Sequence, residues 1–168
     1  MYKLIANSNN VLRMSDGASI PDDPGNRDYI EYLAWIAQGN TPLPADVPSL
    51  AGRQTATWEK IKAERDRRVQ SGGYQVGGHW FNSDTFSRTQ QLGLVIMGAN
   101  LPAGIQWKTL DNGFVTMTPT LASQIFQAAA ASDMALFAAA IVHQTAMMAS
   151  QTPETYDYSS GWPAVYGG

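Results

Sequence analysis

The chain has no cysteine among its 168 residues, which removes disulfides, thiolate nucleophiles and cysteine-ligated metals together. Charge is scarce as well: Asp, Glu, Lys and Arg make up 15% of the chain, against roughly 25% in ordinary globular domains. Histidine occurs twice, at His79 and His143. Neither has a carboxylate at ligand spacing, so each reads as a surface or hydrogen-bonded core residue rather than a metal ligand. The longest uninterrupted apolar run is Met134–Val142, between Asp133 and His143, where a bilayer-spanning helix needs about 20 residues. The N-terminus reaches Asn7 before a signal-peptide apolar core could form. No membrane insertion is expected.

The charge that is present sits unevenly. Residues 1–52 are net acidic, through Asp16, Asp22, Asp23, Asp28, Glu31 and Asp46. Residues 53–68 are net basic and carry Arg53, Lys60, Lys62, Arg65, Arg67 and Arg68 among three acids. From residue 69 onward the charges are Arg88, Lys108, Asp84, Asp111, Asp133, Glu154 and Asp157. A free surface of that size normally carries several times more, so this stretch is expected to be covered by copies of itself or by partners. The net charge of −3 argues against non-specific binding to nucleic acid.

The patterning predicts an α+β fold. Tyr2–Ala6 and Val11–Met14 flank the turn residues Asn7-Ser8-Asn9-Asn10 as a hairpin. A short helix follows, capped by Asn26, with Tyr29, Leu33 and Ile36 at helical spacing. Pro42, Pro44 and Pro48 make an extended connector, so the N-terminal region is taken as 1–52. The next region, 53–150, interleaves helices with two hairpins. Its first helix is expected from about Thr55 to Gln70, and a later one, opening near Asp84, with Phe86, Gly93 and Met97 inward. The hairpins turn at Gly77-Gly78 and at Asp111-Asn112-Gly113. Thr118-Pro119 opens a long Ala-rich helix, a hydroxyl N-cap with proline at the first helical position. Leu121, Ile125, Ala129, Ser132, Leu136 and Ala139 fall on one of its faces; Phe126, Ala130, Phe137, Ile141 and Met148 fall on another. A helix apolar on more than one face packs against more than its own domain. Residues 151–168 form an aperiodic tail with Tyr156, Tyr158, Trp162 and Tyr166.

Little in the chain points to chemistry. His79, Ser83 and Asp84 have the residue types of a hydrolytic triad, without a nucleophile elbow, and capping explains Ser83-Asp84. The pairs Gly72-Gly73 and Gly77-Gly78 match neither a dinucleotide fingerprint nor a phosphate loop. The basic cluster Lys60–Arg68 lacks stacking motifs and reads as a solvated helix face. Trp35, Trp58, Trp80 and Trp107 read mainly as core, with stacking on sugar as the functional alternative. No catalytic residue, cofactor site or metal site is expected.

Two stretches carry a resemblance. Residues 26–42, from Asn26-Arg27-Asp28-Tyr29 to Gln38-Gly39-Asn40-Thr41-Pro42, resemble a segment common in bacteriophage tail-fibre and tail-fibre-assembly proteins. Residues 57–150 resemble a phage-associated domain family of unknown molecular function. The marks are Trp58 with Glu64-Arg65-Asp66-Arg67-Arg68, Gly78-His79-Trp80-Phe81-Asn82-Ser83-Asp84 with Ser87-Arg88, Trp107-Lys108-Thr109 with Asp111 and Gly113, and the helix at Thr118-Pro119. The resemblance implies a structural part of a phage tail tip, in baseplate or fibre, made in the host cytoplasm and carried in the virion. It carries no catalytic residue. The expected partners are other tail or fibre proteins and further copies of this chain, with a trimer favoured. The interface candidates are Phe126, Phe137, Ile141 and Met148 on the long helix, and Tyr156, Tyr158, Trp162 and Tyr166 in the tail, which is expected to dock on a neighbouring subunit. The alternatives are a fibre-assembly chaperone absent from the particle and, more distantly, a glycan-active enzyme, which would need two carboxylates in one cleft, with Asp84 and Asp111 as its pair.

Overall fold

A computed structural model describes residues 1–167 and divides the chain into two compact units, with the boundary in sequence between Ser49 and Leu50. In the first unit β1 (Tyr2–Leu4), β2 (Val11–Arg13) and β3 (Ala18–Ile20) form an antiparallel meander in the order β1-β2-β3. The expected hairpin is therefore extended by a third strand. The turn Ser15-Asp16-Gly17 brings Ala18 opposite Arg13 and Ile20 opposite Val11. Helix α1 (Arg27–Ala37) starts where the Asn26 side chain accepts a hydrogen bond from the Tyr29 amide. Its Tyr29, Tyr32 and Trp35 pack on the buried face of Tyr2, Val11 and Ile20, with Tyr2 edge-on to both Tyr32 and Trp35. The proline-rich connector is not free: Leu43 exchanges backbone hydrogen bonds with β1, and Asp46 accepts from the Lys3 ammonium at 2.5 Å.

The second unit is α+β, with α2 (Leu50–Ser71), α3 (Thr85–Met97) and α4 (Pro119–Met148) around two hairpins. Helix α2 begins at Leu50, earlier than expected, because Pro48-Ser49 punctuates the chain there and Gly52 is tolerated within the first turn. Strands β4 (Tyr74–Val76) and β5 (His79–Phe81) turn through Gly77-Gly78, both at positive φ, as a two-residue hairpin requires. Strands β6 (Gln106–Lys108) and β7 (Phe114–Thr116) are joined through Asn112, also at positive φ. The two hairpins meet where the Leu110 amide donates to the Trp80 carbonyl at 2.7 Å.

Helix α3 turns a different face inward from the one expected. Ser87, Gln91 and Leu94 are buried, whereas Phe86 and Met97 are exposed and open space surrounds Gly93. Polar satisfaction decides this rotation. The Ser87 hydroxyl donates to Asp84, the Tyr74 hydroxyl donates to the Gln91 carbonyl oxygen, and the Gln91 amide donates to the Asn82 carbonyl. Buried polar groups are tolerated when each has a partner, and these have them.

Helix α4 is the spine of this unit. Ala122, Ile125, Ala129, Leu136, Ala140, His143 and Met147 are buried, spaced alternately by three and four residues, apart from the gap at the half-buried Ser132 and Asp133. Its first half meets Tyr74, Phe81, Leu94 and Met117. Its second half meets Ile61 of α2.

Candidate functional site

The side of α4 turned away from this core is apolar as well. Phe126, Met134, Phe137, Ile141, Val142 and Met148 are exposed large hydrophobics, with Ala130 and Ala138 exposed among them. Met134 is 75% and Val142 68% exposed. The two faces that periodicity separates are thus a buried one and an uncovered one. Phe126, Phe137, Ile141 and Met148 all lie on the uncovered one. Phe137 alone of these four has a cationic cover: the Arg65 guanidinium stacks over its ring at 4.4 Å. Although its longest unbroken apolar run is short, α4 is long and apolar enough to cross a bilayer by length and composition. Asp133 and His143 interrupt the apolar run without making the helix polar, so run length understates its hydropathy.

Both interruptions face partners inside the unit. Asp133 is bound by the Arg88 guanidinium through two hydrogen bonds, 2.6 and 2.8 Å. Arg88 also donates to the Ser83 carbonyl at 2.6 Å and to the Val69 carbonyl at 3.2 Å, so one side chain joins α2, α3 and α4. The Asp133 carboxylate holds the guanidinium more firmly protonated than an ordinary arginine. His143 is 6% exposed. Its Nδ1 lies 3.0 Å from the Tyr156 hydroxyl, and its ring packs on Trp162 with centroids 4.8 Å apart.

The tail does not stand apart as a third segment; it folds back on its own unit. Tyr156, Tyr158 and Trp162 pack on the cluster of Ile61, Ala140 and Met147, and the Trp162 indole donates to the Tyr158 carbonyl at 2.7 Å. Arg68 lies over the Trp162 ring, and Arg53 pairs with Glu154 at 2.6 Å. Pro153, which the sequence did not single out, is fully buried. Further on, the Tyr166 amide donates to the Gly72 carbonyl at 2.8 Å, and the Tyr166 ring sits 6.0 Å from that of Trp80. Gly72 permits this approach, since a Cβ there would meet the Val165 side chain at 2.6 Å. Tyr156, Tyr158 and Trp162, expected to dock on a neighbouring subunit, pack within the chain. The physical reason is that α2 and α4 leave an apolar seam beside Ile61 and Met147 that the tail aromatics cover. Tyr166 keeps 40% of its surface exposed, and Gly168 lies outside the described residues.

The residues considered for chemistry are committed elsewhere. Ser83 is buried, and its hydroxyl accepts from the Gly73 amide at 3.0 Å. Asp84 caps α3, accepting from the Ser87 amide, and the Ser87 hydroxyl and amide together hold its carboxyl below the usual range. His79 pairs not with Asp84 but with Asp111, at 3.2 Å. The Asp111 carboxyl is lowered chiefly by the Thr109 hydroxyl and further by His79. Along α2, Lys62, Arg65, Arg67 and Arg68 pair with Glu59, Asp66 and Glu64, the pattern of a solvated ion-paired face. Among the described residues no three metal-ligating side chains come together.

A family model described as a domain of unknown function, DUF4376, matches residues 52–160. The chain belongs to that family. The DUF4376 stretch runs from the start of α2 through both hairpins and α4 into the docked tail, so it holds the uncovered α4 face, the Arg88–Asp133 bridge and the His143 contacts. The β-meander and α1 lie outside it. No curated protein and no solved structure matches the chain.

Proposed function

We propose that this protein is a structural component of a bacteriophage tail tip, in the baseplate or a fibre, and that it works by contact. The observation that carries the reading is the uncovered face of α4, where Phe126, Met134, Phe137, Ile141, Val142 and Met148 stand exposed. Exposed apolar surface of this extent, in a stretch with few charges, marks a face that another molecule covers. The occupant we assign is the same face of further copies, around a threefold axis, so that each long helix contributes to one shared core. The phage setting rests on the sequence marks at Asn26–Pro42 and across residues 57–150. Three of the four tail aromatics, Tyr156, Tyr158 and Trp162, are spent on the chain's own helices, so the reading rests on the α4 face rather than on the tail.

The test is mass spectrometry of purified, intact virions from a phage encoding this chain. A small copy number divisible by three, relative to the major tail protein, is expected. Absence from particles, with the chain bound to fibre protein in infected-cell lysate, would make it an assembly chaperone instead.

A further inference from the structure

A groove of about 490 Å³ opens between the first turns of α3 and the β6–β7 hairpin, with Asn82, Phe86, Gln90, Trp107, Lys108 and Asn112 in its lining. That size falls within the range of small-molecule sites, ~300–1,000 Å³. No α4 residue joins its lining, and it gathers three features that a ligand can use. Phe86 is 72% exposed, a large aromatic left in water at the rim. The Asn82, Gln90 and Asn112 side chains are exposed and hydrogen-bond to nothing else among the described residues. Lys108 has no ion pair among the described residues, and no carboxylate joins the lining.

We propose that this groove binds a short oligosaccharide. A carboxamide both donates and accepts, which matches a sugar hydroxyl that does the same, and three of them offer paired bonds to neighbouring hydroxyls. The C–H face of a pyranose ring is apolar and flat, and the Phe86 ring is the surface on which it rests, with half-buried Trp107 as the apolar floor. Lys108 donates to a further ring oxygen. The groove is held rather than loose: Trp107 packs on the core of Tyr74, Phe81 and Met117, and Asp84 fixes the first turn of α3. Asn112 keeps its positive φ of 63° as the hairpin turn residue, which aims its carboxamide from a rigid corner. Asp84 and Asp111 stand outside the lining, so the groove is a binding site and not a pair of acids across a glycosidic bond.

The experiment is retention of the full chain on an array of immobilised trisaccharides of glucose, galactose, N-acetylglucosamine and galacturonate. Alongside run Phe86→Ala, Gln90→Ala and Asn112→Gly, the last of which removes the carboxamide while suiting the backbone. Val47→Ala, 80% exposed and on neither the groove nor α4, is the control, and thermal unfolding verifies that every variant is folded. At least one trisaccharide should be retained, with a tenfold or greater loss in Phe86→Ala, a smaller loss in the two amide variants and no loss in Val47→Ala. No retention of any trisaccharide overturns the proposal, as does equal retention by Phe86→Ala or loss in Val47→Ala.

Discussion

Arg88 grips Asp133 through both terminal nitrogens, at 2.6 and 2.8 Å, and ties α3 to the middle of α4. These are the only Asp, Glu, Lys or Arg side chains on their two helices. A helix apolar all round has no preferred face, and a single ion pair in a fixed position selects one rotation of it. Removing one partner strands the other, partly buried, at a cost of about 1–3 kcal/mol. Asp133→Asn should lower the urea midpoint accordingly. In Arg88→Met/Asp133→Leu much of that loss should return, because neither charge is then left without its partner.

Adjacent positions on α4 should behave as opposites. Ile125 is fully buried between α3 and the hairpins, whereas Phe126 is 43% exposed. Ile125→Ala should cost about 2–5 kcal/mol of folding stability. Phe126→Ala, measured by denaturant unfolding at low protein concentration, should change it by about 0.5 kcal/mol or less while weakening self-association.

The docked tail makes Trp162 and Gly72 a linked pair of tests. Trp162→Ala removes the ring that packs on His143 and under Arg68. Gly72→Ala places a Cβ against the Arg68 carbonyl oxygen and the Val165 side chain, so it disturbs both the end of α2 and the tail that docks there. Both should expose the chain beyond Ser150 to limited proteolysis, whereas the wild-type tail resists. Deleting residues 151–168 should also destabilise the domain itself, since Ile61 and Met147 lose their cover.

Acid should loosen the same region. Glu64 binds both Arg67 and Arg68, and these bonds, Arg67 first, hold its carboxyl down to about 2 from the usual 4.5. Because the folded form is the stronger acid, the stabilisation is complete above the unfolded value near 4.5 and is lost as pH falls toward about 2. In Glu64→Gln the unfolding midpoint should fall less steeply than in wild type across that window.

The fold was largely legible because its signals are local. Asn26, Asp84 and Thr118 cap α1, α3 and α4 as their residue types require, and Gly77-Gly78 turns β4 into β5. The two faces of α4 could be separated by period alone. Three features escaped for physical reasons. The third strand, Ala18–Ile20, runs straight into Pro21-Asp22-Asp23-Pro24-Gly25, whose linker composition absorbs Ile20. The rotation of α3 depends on Gln91 meeting Tyr74 and Asn82, partners distant in sequence. The tail follows the shape of a seam rather than a repeat, so its aromatics have no spacing to read. For the α4 face the sequence showed which residues share it, and only packing showed which face the domain itself leaves open.

If the uncovered α4 face is a contact between copies, sedimentation velocity of the full chain across a concentration series will read it directly. A trimer is predicted for wild type, and Ile141→Asp, a folded variant with a charge on that face, should sediment as a monomer. A wild-type monomer at every concentration, or a trimer that Ile141→Asp leaves intact, would contradict it.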